Sequence, residues 1–201
     1  MKTDIISVSS SGRQMETALA QVEKVAAYKE LGHKQALHLR LLAEEMMGMM
    51  RSITGEQEGE FWIEDEDGVY RLHLKVVTPM DSDKREKLLS VSSTGKNESA
   101  RGLMGRLRDF FDQSMDSDVA SVTSPLLAPD MFEQTGMTSL EKEWSLIRYV
   151  GALSDKVKED DPAAKEAWDE LEKSVVARVA DDVKVSIKGR TVEMTIIKKM
   201  N

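Results

Sequence analysis

A β-hairpin centred on Asp67 and Gly68 is the feature of this sequence that most restricts its fold. Residues 69–77 alternate between apolar and polar side chains, and the apolar ones are Tyr70, Leu72, Leu74 and Val76. An Asp-Gly pair between two such runs is typical of the tight turn that joins antiparallel strands. Residues 60–63 supply the preceding strand, and residues 65–68 are expected to form the turn. A sheet with one apolar face needs a second layer to cover it.

The covering layer is predicted to include a long helix over residues 36–53. Its apolar residues recur at helical spacing and form one stripe, Leu39, Leu42, Met46, Met49 and Ile53. A second row, in which a carboxylate and a glycine interrupt the apolar pattern, contains Leu37, Leu41, Glu44 and Gly48. A carboxylate beside apolar residues needs a partner or water, so this row marks a candidate site. A strand over residues 5–9 and a helix over residues 15–31, capped by Gly32, are predicted to precede it.

Two further helices are predicted in the second half of the chain. Thr138 and Glu141 fit a capping box, which predicts a helix that includes Trp144. Asp161 before Pro162 indicates an N-cap followed by proline in the first turn, and this helix is expected to continue to about residue 180.

A closing hairpin completes the pattern. Residues 183–187 and 192–196 are rich in apolar residues at alternate positions, and Lys188-Gly189 separates them. Residues 112–136 are polar and are expected to form an irregular connection. We therefore predict an α+β fold, a two-layer sandwich whose mixed or antiparallel sheet carries helices on one face.

Composition narrows the classes of function. The 201 residues carry a formal net charge of -8, so neither nucleic acid nor an anionic membrane is expected as a partner. No apolar run approaches the roughly 20 residues that cross a bilayer, and the first residues lack the pattern of a signal peptide. The sequence has no cysteine, which excludes disulfides and thiolate catalysis and fits a reducing cytoplasm. The three histidines show no metal-ligand spacing, and no metal site is predicted.

Three local sequences lie at corresponding points of one known fold: residues 41–52 on the long helix, residues 75–81 at a strand end, and residues 101–106, where two glycines precede a helix. With the order of the elements, they resemble the GHKL ATPase superfamily, named for gyrase, a heat-shock chaperone, histidine kinases and a mismatch-repair ATPase. The closest likeness is to its small bacterial anti-sigma-factor type. It implies a GHKL-like sandwich of residues 1–112 and 183–201, with residues 113–182 as a helical insertion.

The resemblance also implies roles for individual residues. Glu44 occupies the position of the family's catalytic glutamate. ATP or ADP with Mg²⁺ is the implied cofactor, and the implied nucleotide-binding residues are Gly48, Thr78, Asp81, Lys96, Arg101, Gly102, Leu103 and Gly105. A glycine pair before a helix start suits phosphate, because the free amides and the helix dipole favour an anion.

The chain departs from the family at two positions. Gly48 stands where the family has a metal-binding Asn, and Val76 stands where it has the Asp that accepts from adenine. Neither side chain has an oxygen to offer. We therefore expect a regulatory, ATP-binding-like protein that acts by protein–protein interaction without phosphoryl transfer. The alternatives are an active ATP-binding anti-sigma-type serine kinase or ATPase with altered ligands, and a purely structural or homodimerising module.

Several residues have a structural alternative to a functional role. Glu44 could pair with Arg40 one helical turn away. His73 is expected to point to solvent, and the acidic residues 64–67 are expected to form a solvated turn. The tryptophans of the insertion, Trp144 and Trp168, would either form a partner surface or cover the sheet.

Overall fold

The described strands form one six-stranded antiparallel sheet with helices on one face. The computed structural model describes residues 1–9, 15–55, 58–78, 103, 105–107, 110, 142–188 and 190–200. In chain order the elements are β1 Ile6–Ser9, α1 Met15–Tyr28, α2 His33–Thr54, β2 Glu58–Glu66, β3 Val69–Val77, β4 Lys142–Ser145, α3 Leu146–Lys158, α4 Pro162–Lys173, α5 Val175–Val179, β5 Asp182–Lys188 and β6 Thr191–Lys199. The strand order in the sheet is β1-β2-β3-β6-β5-β4. The predicted α+β sandwich is confirmed.

The inner face of the sheet is built from the apolar alternate residues of the strands. On this face Leu74 of β3 lies between Phe61 of β2 and Met194 of β6, and all three side chains are buried. The helices cover this face, and α2 supplies a dense set of buried methionines, Met46, Met47, Met49 and Met50. Unbranched methionine side chains adapt to irregular gaps, so the abundance of methionine in the sequence serves core packing here.

The turn between β2 and β3 is confirmed, and β2 is longer than predicted. Asp67 and Gly68 have positive φ angles of 50° and 76°, as a type I′ turn requires. The ladder continues up to this turn, because Asp65 pairs with Tyr70 and Glu66 pairs with the first residue of β3. The prediction that residues 65 and 66 belong to the turn was therefore wrong.

Two helix boundaries also differ from the predictions. Gly32 is the N-cap of α2 rather than the C-cap of α1, and its amide donates to Gln35 Oε1 at 3.1 Å. The chain leaves α1 through Glu30, which has a φ of 51°. The helix predicted from Asp161 to about residue 180 is two helices, because Ser174 adopts an extended conformation and caps α5 by accepting from the amide of Ala177. The predicted cap at Asp161 is confirmed, since its carboxylate accepts from Ala163 N at 2.9 Å.

The prediction that Trp144 lies on a helix was wrong. It belongs to the edge strand β4, where it pairs with Val185 of β5, and the helix begins only at Leu146. Its side chain is 5% exposed and packs at a ring-centroid distance of 6.0 Å from Tyr149. Trp144 is therefore a core residue and does not form a partner surface, while Trp168 is partly buried against the same core. Thr138 and Glu141 lie outside the described residues.

The segment predicted as an insertion, residues 113–182, is described from residue 142 onward. This part places β4 in the common sheet, and buried residues of its helices, including Leu153 and Leu171, belong to the same hydrophobic cluster as α2. The division of the chain into a GHKL-like unit and an insertion stays a prediction.

A buried carboxylate joins the sheet to the helices that follow β4. Asp182, the first residue of β5, is 6% exposed. It accepts from Ser145 Oγ at 3.1 Å, from Ile147 N at 3.2 Å and from its neighbouring amide, Val183 N, at 2.9 Å. Ser145 is the N-cap residue of α3, and its own side chain does not cap the helix. Asp182 therefore supplies from a neighbouring strand the acceptor that an N-cap side chain ordinarily provides.

Replacement of Asp182 by Ala is expected to lower the free energy of unfolding by about 1–3 kcal/mol, because the buried hydroxyl of Ser145 and the partly buried amide of Ile147 lose their acceptor. Urea denaturation followed by circular dichroism measures this loss. Asp182→Asn should recover part of it, since the amide oxygen still accepts. Asp155→Ala is the control, because the Asp155–Lys158 pair is exposed and such pairs contribute little. Equal effects of Asp182→Ala and Asp155→Ala would contradict the capping role.

Candidate functional site

Glu44 and Gly48, the two helix residues of the predicted nucleotide site, lie on the solvent side of α2. Glu44 Oε1 is 3.2 Å from Arg40 Nε, and Arg40 also pairs with Glu23 of α1. Gly48 is exposed, and a Cβ added there would meet nothing within 4 Å. The structural alternative for Glu44, pairing with Arg40, is therefore present. Its contact with a ligand stays a prediction.

The remaining predicted site residues are distributed between the core and the undescribed part of the chain. Thr78 is 7% exposed, its amide donates to Arg190 O at 2.9 Å, and its carbonyl accepts from Arg190 Nε at 3.2 Å. Leu103 is in the core, and Gly105 is a buried helical residue. Asp81, Lys96, Arg101 and Gly102 lie outside the described residues. A common nucleotide site formed by Glu44, Thr78, Leu103 and the other residues named above stays a prediction.

The polar side of the sheet, which we call the outer face, carries a cluster that the sequence analysis missed. Trp62 of β2 and His73 of β3 are cross-strand partners, and their rings stack at a centroid distance of 4.7 Å and an interplanar angle of 1°. Lys2 Nζ lies 5.5 Å from the centre of the Trp62 ring. The signal was present in the sequence, because a two-residue turn at Asp67-Gly68 sets Trp62 opposite His73.

His73 lies between two carboxylates. Its Nδ1 is 3.1 Å from Thr195 Oγ1 and 3.4 Å from Glu193 Oε1, and its Nε2 is 3.6 Å from Glu64 Oε2. The side chain is 12% exposed, and Nε2 has no hydrogen-bond partner within the part of the chain that the structure describes. His73 is on the polar face as predicted, but the prediction that it points to solvent was wrong, because Trp62 covers its ring.

The electrostatics of this cluster are set mainly by burial and by Lys2. Burial lowers the pKa of His73, and the nearby charges of Glu64 and Glu193 oppose that shift only partly. The imidazole is therefore neutral near pH 7. The pKa of Glu64 is lowered, chiefly because the Lys2 ammonium lies 3.0 Å away, and the Trp62 indole N–H, which donates at 3.1 Å, adds to the effect.

The prediction that the acidic residues 64–67 form a solvated turn was wrong for Glu64 and Asp65, whereas Glu66 and Asp67 are exposed. Glu64 belongs to the Trp62–His73 cluster, and the Asp65 side chain is 4% exposed and forms an ion pair with Lys29, which follows α1. The hydrogen bond to Asp65 raises the pKa of Lys29. Burial, with the charge of Asp65 in second place, raises the pKa of the neighbouring Tyr70. Asp65 thus ties the hairpin to the helical layer.

A partly open depression of about 420 Å³ lies on the outer face beside this cluster. Its lining combines three ammonium groups, three hydroxyls and two carboxylates, from Lys75, Lys184, Lys188, Ser186, Thr191, Thr195, Glu143 and Glu193. These residues come from β3, β6, β5 and β4, so the depression crosses four strands, or about 14 Å at ordinary strand spacing. Lys75 Nζ is 3.4 Å from Glu60 Oε2, and Lys184 Nζ is 3.9 Å from Glu143 Oε1.

This arrangement suits binding of a polar or charged group. Ammonium and hydroxyl groups donate hydrogen bonds to anionic oxygens. The described residues include no group of three or more His, Asp or Glu side chains arranged to hold a metal ion.

No protein-family model matches the chain, and a search of the curated proteins finds no match either. The likeness to the GHKL superfamily therefore stays a prediction. None of the helices in the described ranges is long and apolar enough to cross a membrane.

Gly48→Ala is expected to raise the free energy of unfolding by about 0.5–1 kcal/mol, because the position is an exposed helix interior with room for a methyl group. Chemical denaturation measures the change. Gly59→Ala is the matched contrast, since its Cβ would lie 2.8 Å from the Lys75 carbonyl oxygen, and it should be destabilising. A loss of stability in Gly48→Ala would show that this glycine is required by a contact that the helix geometry does not reveal.

The His73 cluster predicts a dependence of stability on pH. Because the pKa of His73 is lowered in the folded protein, the unfolded chain binds more protons below about pH 6.5, and stability should fall as the pH decreases from there. The pKa of Glu64 is lowered as well, so its contribution to stability is lost only at more acidic pH, below about pH 4.5. Denaturation curves at pH 7.5 and 5.8 should show a smaller loss for His73→Gln than for the wild type. His33→Gln, at an exposed position, should keep the wild-type loss, and a slope unaffected by His73→Gln would refute the assignment.

Proposed function

We propose that this protein is a regulatory binding protein that recognises a partner protein through the outer face of its sheet and does not transfer phosphoryl groups. The observation that carries the proposal is the asymmetry of the sheet. One face is buried beneath the described helices, and the other presents partly exposed charged side chains around the depression. Lys75, Lys184 and Glu193 on that face are 37–43% exposed.

The chemistry of the outer face favours a protein over a small organic ligand. Pockets for small molecules are mostly apolar and bury most of the ligand, whereas this depression is partly open and lined by charged and hydroxyl side chains. Charged and polar groups of this kind are typical of the solvent-accessible rim of a protein interface. The cross-strand ion pairs place positive and negative groups on the same face, so this surface can distinguish partners by charge pattern.

The resemblance to anti-sigma-type GHKL proteins supports the same function by analogy. The same analogy implies that the predicted site binds ATP or ADP with Mg²⁺. It also implies a cytoplasmic location. Two observations favour binding without phosphoryl transfer: Glu44 is paired with Arg40, and Gly48 offers no oxygen to a metal. An active kinase or ATPase is the competing hypothesis.

Affinity capture from a lysate of the source cells tests the partner hypothesis. The wild type should retain a partner that the double variant Lys75→Glu and Lys184→Glu loses, because both charges reverse on the outer face. The control is Lys165→Glu, since Lys165 lies on the exposed side of α4 and pairs with Asp160; it should retain the partner. Recovery of the protein alone would refute a heterologous partner and favour the homodimerising module.

Isothermal titration with ATP, ADP and Mg²⁺ separates regulation from catalysis. Micromolar binding accompanied by turnover, which Glu44→Gln abolishes, would replace the proposal by the kinase or ATPase hypothesis. Nucleotide binding without turnover, or the absence of binding, agrees with a regulatory protein.

A further inference from the structure

We propose that the depression on the outer face binds an anionic group from an acidic segment of a partner protein, and that protonation of His73 strengthens this binding through Glu193. The protein nature of the ligand rests on the proposed function. The site and its response to protons rest on the geometry of β3, β5 and β6.

The depression concentrates hydrogen-bond donors in an acidic chain. Three lysines and three hydroxyl residues line it, against two glutamates, whereas the chain as a whole carries a formal charge of -8. Lys184 is the cross-strand partner of Thr195, so an ammonium-bearing and a hydroxyl-bearing side chain start from neighbouring positions in its lining. Donors of this kind fit carboxylate, sulfate or phosphate oxygens.

Glu193 belongs both to the depression and to the His73 cluster. It lines the depression, and its Oε1 is 3.4 Å from His73 Nδ1. While His73 is neutral, the charge of Glu193 offsets one of the lysines. When His73 is protonated, both ring nitrogens become donors. A movement of a few tenths of an ångström then gives Glu193 an ionic hydrogen bond, and its negative charge no longer opposes an anion in the depression.

The other groups that face His73 are compatible with a protonated imidazole ring. Glu64 lies 3.6 Å from Nε2, which has no partner in the described residues, so it is placed to receive the second N–H. The remaining polar neighbour is Thr195. The remaining charged neighbours are three cations that already have carboxylate partners, in the pairs Lys2–Glu64, Arg71–Glu66 and Lys75–Glu60. Both N–H groups of the protonated ring therefore have a carboxylate acceptor. The proton alters the net charge of the depression through Glu193.

Sulfate is a suitable probe, because its charge is constant between pH 7.8 and 5.8. Its affinity, measured by NMR shifts of Thr195 and Lys184, should rise by up to about tenfold over this range, as expected for neutralising one charge about 6 Å from a divalent anion in a solvent-like dielectric. The His73 ring resonances, assigned with His73→Gln, should titrate with the same midpoint as the affinity.

Matched variants test whether Glu193 couples the protonation of His73 to anion binding. Glu193→Gln should bind sulfate more tightly than the wild type and lose most of the pH dependence. Glu143→Gln removes the other carboxylate of the depression, which pairs with Lys184 rather than with His73, so it should bind more tightly while retaining the pH dependence. The pH dependence should also disappear in His73→Gln, with circular dichroism confirming that each variant is folded. Persistence of the full pH dependence in Glu193→Gln would overturn the coupling.

A peptide of six aspartates tests the class of ligand. It should compete with sulfate at pH 7.8 and bind more tightly, because it can meet several lysines at once. Binding of sulfate without competition by the peptide would assign the depression to a small ion and overturn the acidic-segment proposal. Failure of both probes to bind would overturn the site itself, whereas the capture experiment with the Lys75 and Lys184 variant tests the proposed function separately.

Discussion

The register of the β2–β3 hairpin is the constraint on which the rest of this structure depends. A two-residue turn at Asp67-Gly68 leaves no freedom in the pairing of the two strands. It places Phe61 opposite Leu74 on the inner face and Trp62 opposite His73 on the outer face. A slip by one residue would exchange the two faces, bringing charged groups into the core and apolar residues to the surface.

The inner face dictates how the remaining elements assemble. Its apolar rows are covered by the helices, and the methionines of α2 fit the space that the twisted sheet leaves. Two buried carboxylates lie where the layers meet. Asp182 caps α3 from β5, and Asp65 pairs with Lys29 after α1. Each carboxylate has its partners in place, which is the condition under which a buried charge is tolerated.

The same strand pairing determines which charged and titratable side chains lie together on the outer face. Its charges are arranged as cross-strand ion pairs. His73, the least exposed titratable side chain of this face in the described ranges, lies between Glu64 and Glu193 beneath Trp62. Burial keeps His73 neutral, while the flanking carboxylates provide acceptors for a proton. The surface that we propose for partner binding and the group that we propose to regulate it thus share Glu193, so a single proton can alter the charge that a partner encounters.

Local patterns in the sequence determined the elements whose causes are local. Alternation and the Asp-Gly turn predicted the first hairpin, the apolar stripe predicted α2, and Asp161 before Pro162 predicted the start of α4. For the candidate site, the sequence supplied the Glu44–Arg40 pair as an alternative, because its members are one helical turn apart.

The tertiary structure decided the features that join distant residues. Trp144 lies on a strand because β5 pairs with it, although its spacing also fits a helix. Asp65 is buried and paired with Lys29, and His73 is partly buried beneath Trp62, only because the folded chain brings these residues together. The depression likewise exists only because four strands lie side by side. Such contacts depend on which residues the fold brings together, and periodicity within a short window carries no information about that.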